Sequence, residues 1–490
     1  MEIKIKYYIL LFFVTGGISL SAQTFNEQYK IFRKEARQQY EDFRKKANQE
    51  YADFMQQTWK AYQALPAIPK PKNEQPQPPI VYVEDEQREG QNENVPLPYK
   101  EIVRPTTPPQ PVPISPIEEQ KEPTIEYLRF AFFGTPCQVR LGNAQRFKLT
   151  TCNKEDLADT WQRLSRSTYN NVLRDCLELR IRLQLCDWAY LLMLQELSFT
   201  FLGKDTNEAT LFIAYLFCQS GYEMKLAEAN GKLYMLYRSE HTIYELPYWV
   251  IDGKQYYPIN NHIDSSIQVC QANYPNEQPL SLLVTKELRL MVKETKARTL
   301  QAEAYPDMKV SVYTNQNLLD FMATYPTSTI GENFCTRWAM YAETPLSQTA
   351  MHSLYITLRK AISGKTQAES ANKLINFVQT ALVYEYDDKV WGQDRAFFAD
   401  ETLYYPYCDC EDRAILFTRL VRDLLGLETA LVYYPGHLAT AIHFTENVNG
   451  DYLLINGKRY LICDPTYIGA PIGKTMPDMN NKEAKVILLN

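Results

Sequence analysis

Residues 407–426 read YCDCEDRAILFTRLVRDLLG and place two thiols beside three carboxylates at the start of a predicted helix. Apolar residues recur at helical spacing from Ile415 to Leu425, and Gly426 stands where a left-handed residue commonly ends a helix. Cys410 therefore lies at a helix N-terminus, where free backbone N–H groups and the helix dipole favour an anion and activate a thiol. The neighbouring acids oppose that activation. The stretch predicts either a nucleophilic cysteine or a structural use of the two sulfurs.

Two further strands follow this helix and supply the groups that a nucleophilic thiol needs. Residues 437–444, HLATAIHF, predict a strand that begins at His437 directly after a Pro-Gly turn. An Asn-Gly hairpin turn then leads to a strand that ends at Asp464. A thiolate needs a general base, and the base needs a carboxylate to fix its tautomer. Cys410, His437 and Asp464 are therefore the candidate catalytic residues.

These motifs resemble the transglutaminase-like superfamily over about residues 366–470. The resemblance rests on DCEDRAILFTRLVRDLLGL, PGHLATAIHF and YLICDPTY, preceded by LINFVQTALVYEYD and ETLYY. It implies an α+β, papain-like fold with Cys410 as nucleophile, His437 as base and Asp464 as orienting acid. The family usually has Gly before the Asp-Cys pair, and this chain departs from that pattern with Cys408 two positions before Cys410.

A second histidine competes for the role of base. His443 lies on the same strand face as His437, about 20 Å away, so only one of the two can serve the thiol. If the last strand inserts between the other two, Asp464 ends near His437, whereas a simple meander brings it near His443. The position after the Pro-Gly turn and the family pattern favour His437.

Other uses of these residues remain open. Cys408, Cys410, Cys463 and His437 are a candidate zinc site, although one intervening residue is a poor ligand spacing. A disulfide that involves Cys408 or Cys463 is a stronger alternative and is compatible with catalysis by Cys410.

Aromatic residues precede the cysteine at the place where related sites hold an oxyanion. They are Trp391, Tyr405 and Tyr407, and for each of them an ordinary packing role is at least as well supported.

The chain divides into segments of different composition. Over half of its 28 prolines lie between residues 66 and 123, where they prevent a packed element and predict an extended spacer. Before it, tyrosines 29, 40, 51 and 62 recur every eleven residues and predict a long amphipathic helix, a candidate for self-association or envelope docking. The predicted segments are a signal peptide (1–22), the helix (23–65), the spacer (66–123), a candidate inactive transglutaminase-like copy (124–275), an α+β middle segment (276–365) and the catalytic unit (366–490).

The inactive copy is predicted from internal similarity. NEATLFIAYLFCQSGYE resembles EDRAILFTRLVRDLLGLE, and YWVIDGKQYYPIN resembles YLLINGKRYLICD, at nearly constant offset. This alignment puts Asp205 opposite Cys410, Lys232 or Leu233 opposite His437, and Asn260 opposite Asp464. None of these residues can replace a thiol nucleophile, so the copy is predicted to be inert.

Composition limits the function further. The net charge of −6 gives no support to nucleic acid as a partner. No second apolar stretch follows that of the predicted signal peptide, so an integral membrane protein is not expected. No cofactor or metal is predicted. We expect an exported, periplasmic or secreted enzyme that acts on peptide or protein amides through a cysteine thioester, with hydrolysis favoured over cross-linking. The alternative is a non-catalytic envelope scaffold with structural cysteines.

Overall fold

The computed structural model describes residues 22–57, 59–71, 76–84, 95–105, 117–121, 125–259, 266–331 and 333–490. It is a mixed structure of about 38% helix and 25% strand, which confirms the predicted α+β class. The signal-peptide prediction falls outside the described residues except at its last position. Within the described ranges, no helix combines the length and the apolar character needed to cross a bilayer.

The chain begins with α1 (Ala22–Gln57) and β1 (Trp59–Gln63), followed by the short strands β2 (Ile80–Val81) and β3 (Glu101–Val103). The predicted helix therefore ends at Gln57, because the residues after Trp59 pair with a sheet edge instead. Tyr51 is buried and stacks on Trp161, with ring centroids 4.6 Å apart. Phe43 and Phe54 of α1 stay exposed. Tyr51, one of the tyrosines that recur every eleven residues, thus packs within the molecule.

The first unit consists of four helices on a sheet. The helices are α2 (Lys154–Leu164), α3 (Asn170–Arg182), α4 (Asp187–Leu202) and α5 (Asn207–Gln219), with short 3-10 turns at Asn143–Gln145 and Ser167–Tyr169. The strands are β4 (Tyr127–Phe132), β5 (Thr135–Arg140), β6 (Met224–Ala229), β7 (Lys232–Arg238), β8 (His241–Ile243), β9 (Trp249–Ile251), β10 (Lys254–Pro258) and β11 (Ser266–Cys270). The apolar helix α5 is buried between α4 and the β6–β7 hairpin.

The middle segment links the two halves of the molecule. It contains β12 (Arg298–Gln301), β13 (Lys309–Val312), α6 (Gln316–Met322), β14 (Ser328–Ile330), α7 (Thr336–Glu343) and α8 (Gln348–Ile362). β14 pairs with β8 of the first unit.

The last unit repeats the arrangement of helix on sheet. Its helices are α9 (Gln367–Ala381), α10 (Asp387–Val390), α11 (Ala399–Tyr404) and α12 (Cys410–Leu425), with a 3-10 turn at Asn481–Glu483. Its strands are β15 (Val383–Tyr384), β16 (Tyr407–Cys408), β17 (Glu428–Tyr434), β18 (His437–His443), β19 (Tyr452–Ile455), β20 (Lys458–Cys463), β21 (Tyr467–Ile468) and β22 (Lys485–Leu488). α12 lies between α9, α7 and the β17–β18 hairpin, so its first residue is held among several elements.

The two six-stranded sheets share one strand order. The first is β1-β11-β6-β7-β10-β9 and the second is β3-β22-β17-β18-β20-β19. In each sheet a helix leads into the central hairpin, and a segment from the N-terminal part of the chain adds an edge strand. Tight turns with positive φ at Asp252-Gly253 and Asn456-Gly457 occupy corresponding places. This correspondence is what a duplicated core requires, and the duplication itself stays a prediction.

The described parts of the proline-rich region differ from a free spacer. β3 pairs in parallel with β22 at the edge of the second sheet, and β2 pairs in parallel with β21. Ile117 is buried against the first unit. Proline allows such contacts because these strands are short and lie at edges, where few backbone donors are needed.

Candidate active site

Cys410 is the first residue of α12, and the helix start is built by its neighbours. The Asp409 side chain accepts the backbone N–H groups of Glu411 (3.0 Å) and Asp412 (3.5 Å). Asp412 in turn accepts the Asp409 N–H at 3.3 Å, which completes a reciprocal cap. Gly426 ends the helix in the left-handed conformation at φ 65°. The helix bounds agree with those that the sequence predicts.

His437 and Asp464 meet because β20 inserts between β18 and β19. The end of β20 then lies beside the start of β18, and His437 Nε2 is 2.8 Å from Asp464 Oδ2. Their side chains are 0% and 1% exposed. His443 lies at the far end of β18, where its Nδ1 is 2.9 Å from the Arg459 carbonyl oxygen. The carboxylate is thus paired with the first histidine of the strand and not with the second.

Cys410 begins α12, which packs against β18, the strand that His437 opens. The backbone N–H of Leu438, the residue after His437, lowers the pKa of the Cys410 thiol, whereas the charge of Asp464 raises it. His437 Nδ1 is buried and has no hydrogen-bond partner among the described residues. When Nε2–H donates to Asp464, Nδ1 carries the free lone pair of a neutral imidazole and can accept a proton.

The turn that carries Asp464 is fixed by Gln379 of α9. The Gln379 amide nitrogen contacts three carbonyl oxygens, those of Asp464 (3.1 Å), Tyr467 (2.7 Å) and Ala470 (3.1 Å). Buried Arg413 of α12 donates to the carbonyls of Gln379 (3.2 Å) and Leu382. Neither residue was identified from the sequence. The available signal was a glutamine among the apolar residues of LINFVQTAL, the stretch that forms the end of α9.

The ionisation of Cys410 is disfavoured in this closed site. Burial raises the pKa of the Cys410 thiol well above its ordinary value, and the charges of Asp409 and Glu411 act in the same direction. The N–H of Leu438 opposes them. The activation expected from the helix N-terminus is therefore outweighed here, because a buried thiolate loses its hydration and lies beside two carboxylates.

An acidic cluster lies at the start of α12. Asp387, Asp394 and Glu411 each place a carboxylate oxygen within 4.8 Å of the others, the spacing that a cation would need. Burial raises the pKa of Asp387 to about 8. The Arg337 guanidinium contacts both Asp394 (3.4 Å) and Glu411 (3.3 Å), so the positive charge of this side chain already pairs with these two carboxylates. We assign no metal to the cluster.

The alternatives for the sulfurs can be compared with this geometry. All ten cysteines lie in the described residues and none forms a disulfide. Cys408 and Cys463 direct their thiols to the carbonyls of Val383 (3.7 Å) and Leu461 (3.6 Å). Among the described residues, the proposed zinc ligands do not form a group of metal-binding spacing.

The aromatic residues upstream of the cysteine play different parts. Trp391 and Tyr405 pack around the Arg395 guanidinium, and Tyr407 is exposed. Tyr384 was not identified from the sequence, yet it lies within electrostatic range of Cys410. Burial raises the pKa of the Tyr384 hydroxyl, which is therefore protonated and able to donate.

The first unit places different residues at the corresponding positions. Asn207 is the first residue of α5, and its side-chain oxygen accepts the Leu233 N–H at 2.9 Å. Leu233 follows Lys232 in β7, as Leu438 follows His437 in β18. The alignment puts Asp205 opposite Cys410, and in the structure Asp205 lies one residue before Thr206, which caps α5, while Asn207 holds the first position of the helix.

The first unit can also be searched for the residues at the positions of His437 and Asp464. Lys232 opens β7 as His437 opens β18. Asn260, the predicted counterpart of Asp464, lies outside the described residues. No thiol occupies the helix start of the first unit, since that place belongs to Asn207.

No family model matches this chain, and no curated protein or solved structure matches it either.

Proposed function

We propose that this chain is a transglutaminase-like, thiol-dependent acyl-transfer enzyme, exported from the cytoplasm, whose catalytic unit is residues 366–490. The observation that carries the proposal is the buried 2.8 Å contact between Asp464 and His437, which opens the strand against which the helix that begins at Cys410 packs. A buried imidazole oriented by a carboxylate, with its second nitrogen unpaired, is the arrangement that a proton-transfer base requires.

The residues perform the reaction in two stages. His437 Nδ1 takes the Cys410 proton as the sulfur attacks the carbonyl carbon of a peptide or protein amide. The C–N bond then breaks, His437 returns the proton to the leaving amine, and a thioester forms. Water next attacks the thioester with His437 as base, which releases a carboxylic acid and restores the thiol. An amine in place of water gives a new amide, and we favour water because no calcium loop is visible in the sequence.

One observation favours a second candidate, a non-catalytic envelope scaffold. Cys410 is only 5% exposed and burial raises the pKa of its thiol, as expected of a structural cysteine. The two candidates differ in the reactivity of this one sulfur.

The test compares three chains against a library of peptide amides. We expect wild type to release amine, and acid quenching followed by mass spectrometry to find an acyl group on Cys410. Cys410→Ala should lose both, while Cys408→Ala, which removes a buried thiol two residues away, should keep both. Amine release that survives Cys410→Ala refutes the proposal. Equal alkylation of several cysteines without turnover supports the scaffold.

A further inference from the structure

The active site is crossed by a stretch of the chain's own proline-rich region, residues 76–82, which we call the crossing segment. The Gln77 N–H donates to the carbonyl of Gly436 at 2.9 Å, and Gly436 directly precedes His437. The Gln77 carbonyl accepts the Tyr384 hydroxyl at 3.2 Å. Gln77 therefore joins a side chain near Cys410 to the turn that carries the catalytic histidine.

The rest of the crossing segment binds beyond Asp464. Ile80 and Val81 pair in parallel with β21, and the Tyr82 N–H donates to the Ile468 carbonyl at 2.8 Å. The Tyr82 ring meets Tyr467 edge-on, with centroids 5.5 Å apart. Tyr467 itself donates its N–H to the Asp464 carbonyl at 3.3 Å.

Alternate side chains of the crossing segment anchor it. Ile80 and Tyr82 pack against an apolar cluster formed by Tyr467, Ala470 and Met476. Between them, Val81 is 68% exposed. Backbone pairing combined with pockets for every second side chain is the way in which a sheet edge recognises an extended peptide.

We propose that this surface is the peptide-binding cleft of the enzyme and that the crossing segment occupies it in cis. The proposal rests on the proposed function and adds a substrate class: extended, proline-tolerant peptides with apolar side chains two residues apart. The crossing segment contacts Gly436, which precedes His437, and Tyr467, whose N–H donates to the Asp464 carbonyl. It also contacts Tyr384, which lies within electrostatic range of Cys410, so it competes with substrate for the same cleft. Because it is tethered, its effective concentration is high, and an added peptide binds only in the fraction of molecules whose cleft is free.

The first experiment removes the occupant without touching the cleft. One variant carries Ile80→Ser with Tyr82→Ser, and another replaces residues 76–82 by a Gly-Ser stretch of equal length. We expect alkylation of Cys410 by iodoacetamide to rise about tenfold or more in both, and KM for peptide amides to fall with little change in kcat. Val83→Ser, a substitution at an exposed position just outside the crossing segment, should behave as wild type.

The second experiment returns the occupant in trans. A synthetic peptide of residues 76–82 should bind the Gly-Ser chain, slow alkylation of Cys410 and compete with substrate, while the same peptide with serine at both anchor positions should not. Unchanged alkylation and KM in the Gly-Ser chain overturn the inference, even if every chain turns over. If alkylation rises and the peptide binds but no chain releases amine, the cleft stands and the catalytic proposal fails.

Discussion

His437 and Asp464 lie at the ends of two strands, and their pairing follows from strand order and not from closeness in the chain. A carboxylate on Nε2 holds the proton there, so that Nδ1 is the nitrogen available for the thiol. The sequence predicted the start of α12 correctly, because capping and helical spacing are local. It favoured His437 over His443 but could not show which of them meets Asp464, since the insertion of β20 between β18 and β19 depends on contacts distant in sequence.

The two histidines provide a matched pair of substitutions. We expect His437→Gln to lower kcat for amide hydrolysis about a hundredfold or more, because the general base is lost. His443→Gln should leave kcat within about twofold, since His443 lies at the far end of β18 from His437, where its Nδ1 contacts the Arg459 carbonyl. Steady-state kinetics on both variants, with circular dichroism to verify folding, provides the measurement. Equal losses in the two variants would contradict the assignment of the base.

Buried polar side chains of α9 and α12 hold these two helices against the turn that carries Asp464. Gln379 and Arg413 satisfy backbone carbonyls around the Asp464 turn, and leaving such groups unpaired in the interior is costly. The sequence predicted α12 from its apolar spacing. It could not predict which loop carbonyls Arg413 would meet, because that depends on how separate elements pack.

The contact between α11 and α8 predicts a pH effect on stability. Asp400 accepts the Ser347 N–H at 3.0 Å, yet burial raises the pKa of Asp400 to about 6 from an ordinary value of 3.8. The folded state holds this proton more tightly than the unfolded chain. The contribution of protonated Asp400 to stability is therefore fully present below about pH 4 and is lost as the pH rises through 6. Between the two pKa values the free energy of unfolding falls by about 1.4 kcal/mol per pH unit through this group.

Asp400→Asn removes this titration, so the free energy of unfolding should fall less steeply between about pH 4 and 7 than in wild type. Urea unfolding at several pH values measures the slope, which is the quantity of interest even if the variant is less stable overall. Asp388→Asn, at an exposed carboxylate of α10, controls for the chemical change. Parallel slopes for wild type and Asp400→Asn would show that another group is responsible.

Across the whole molecule, the N-terminal region serves both sheets. It supplies edge strand β1 to the first and β3 to the second, and the crossing segment lies between these two strands in the sequence. Composition predicted extended chain here, which the described parts adopt. It could not predict that this extended chain pairs with the two sheets, because the sheet edges form only when residues hundreds of positions later have folded.

The packing of α1 on the first unit yields the last prediction. Tyr51 stacks on Trp161, whereas Phe54 on the same helix is exposed. We expect Tyr51→Ala to lower the free energy of unfolding of the first unit by about 3 kcal/mol, and Phe54→Ala to change it by less than about 0.5 kcal/mol. Denaturant unfolding followed by tryptophan fluorescence measures both.

Tyr51→Phe separates the ring from its hydroxyl. That hydroxyl is buried without a hydrogen-bond partner among the described residues, so removing it should leave stability unchanged or raise it. A large loss in Tyr51→Phe, or equal losses in the two alanine variants, would mean that the stacked ring does not hold α1 in place. If the alanine variants behave as expected, Tyr51 packs against the first unit and is not available to a second copy of α1. Self-association through α1 must then use its exposed side, which carries Phe43 and Phe54.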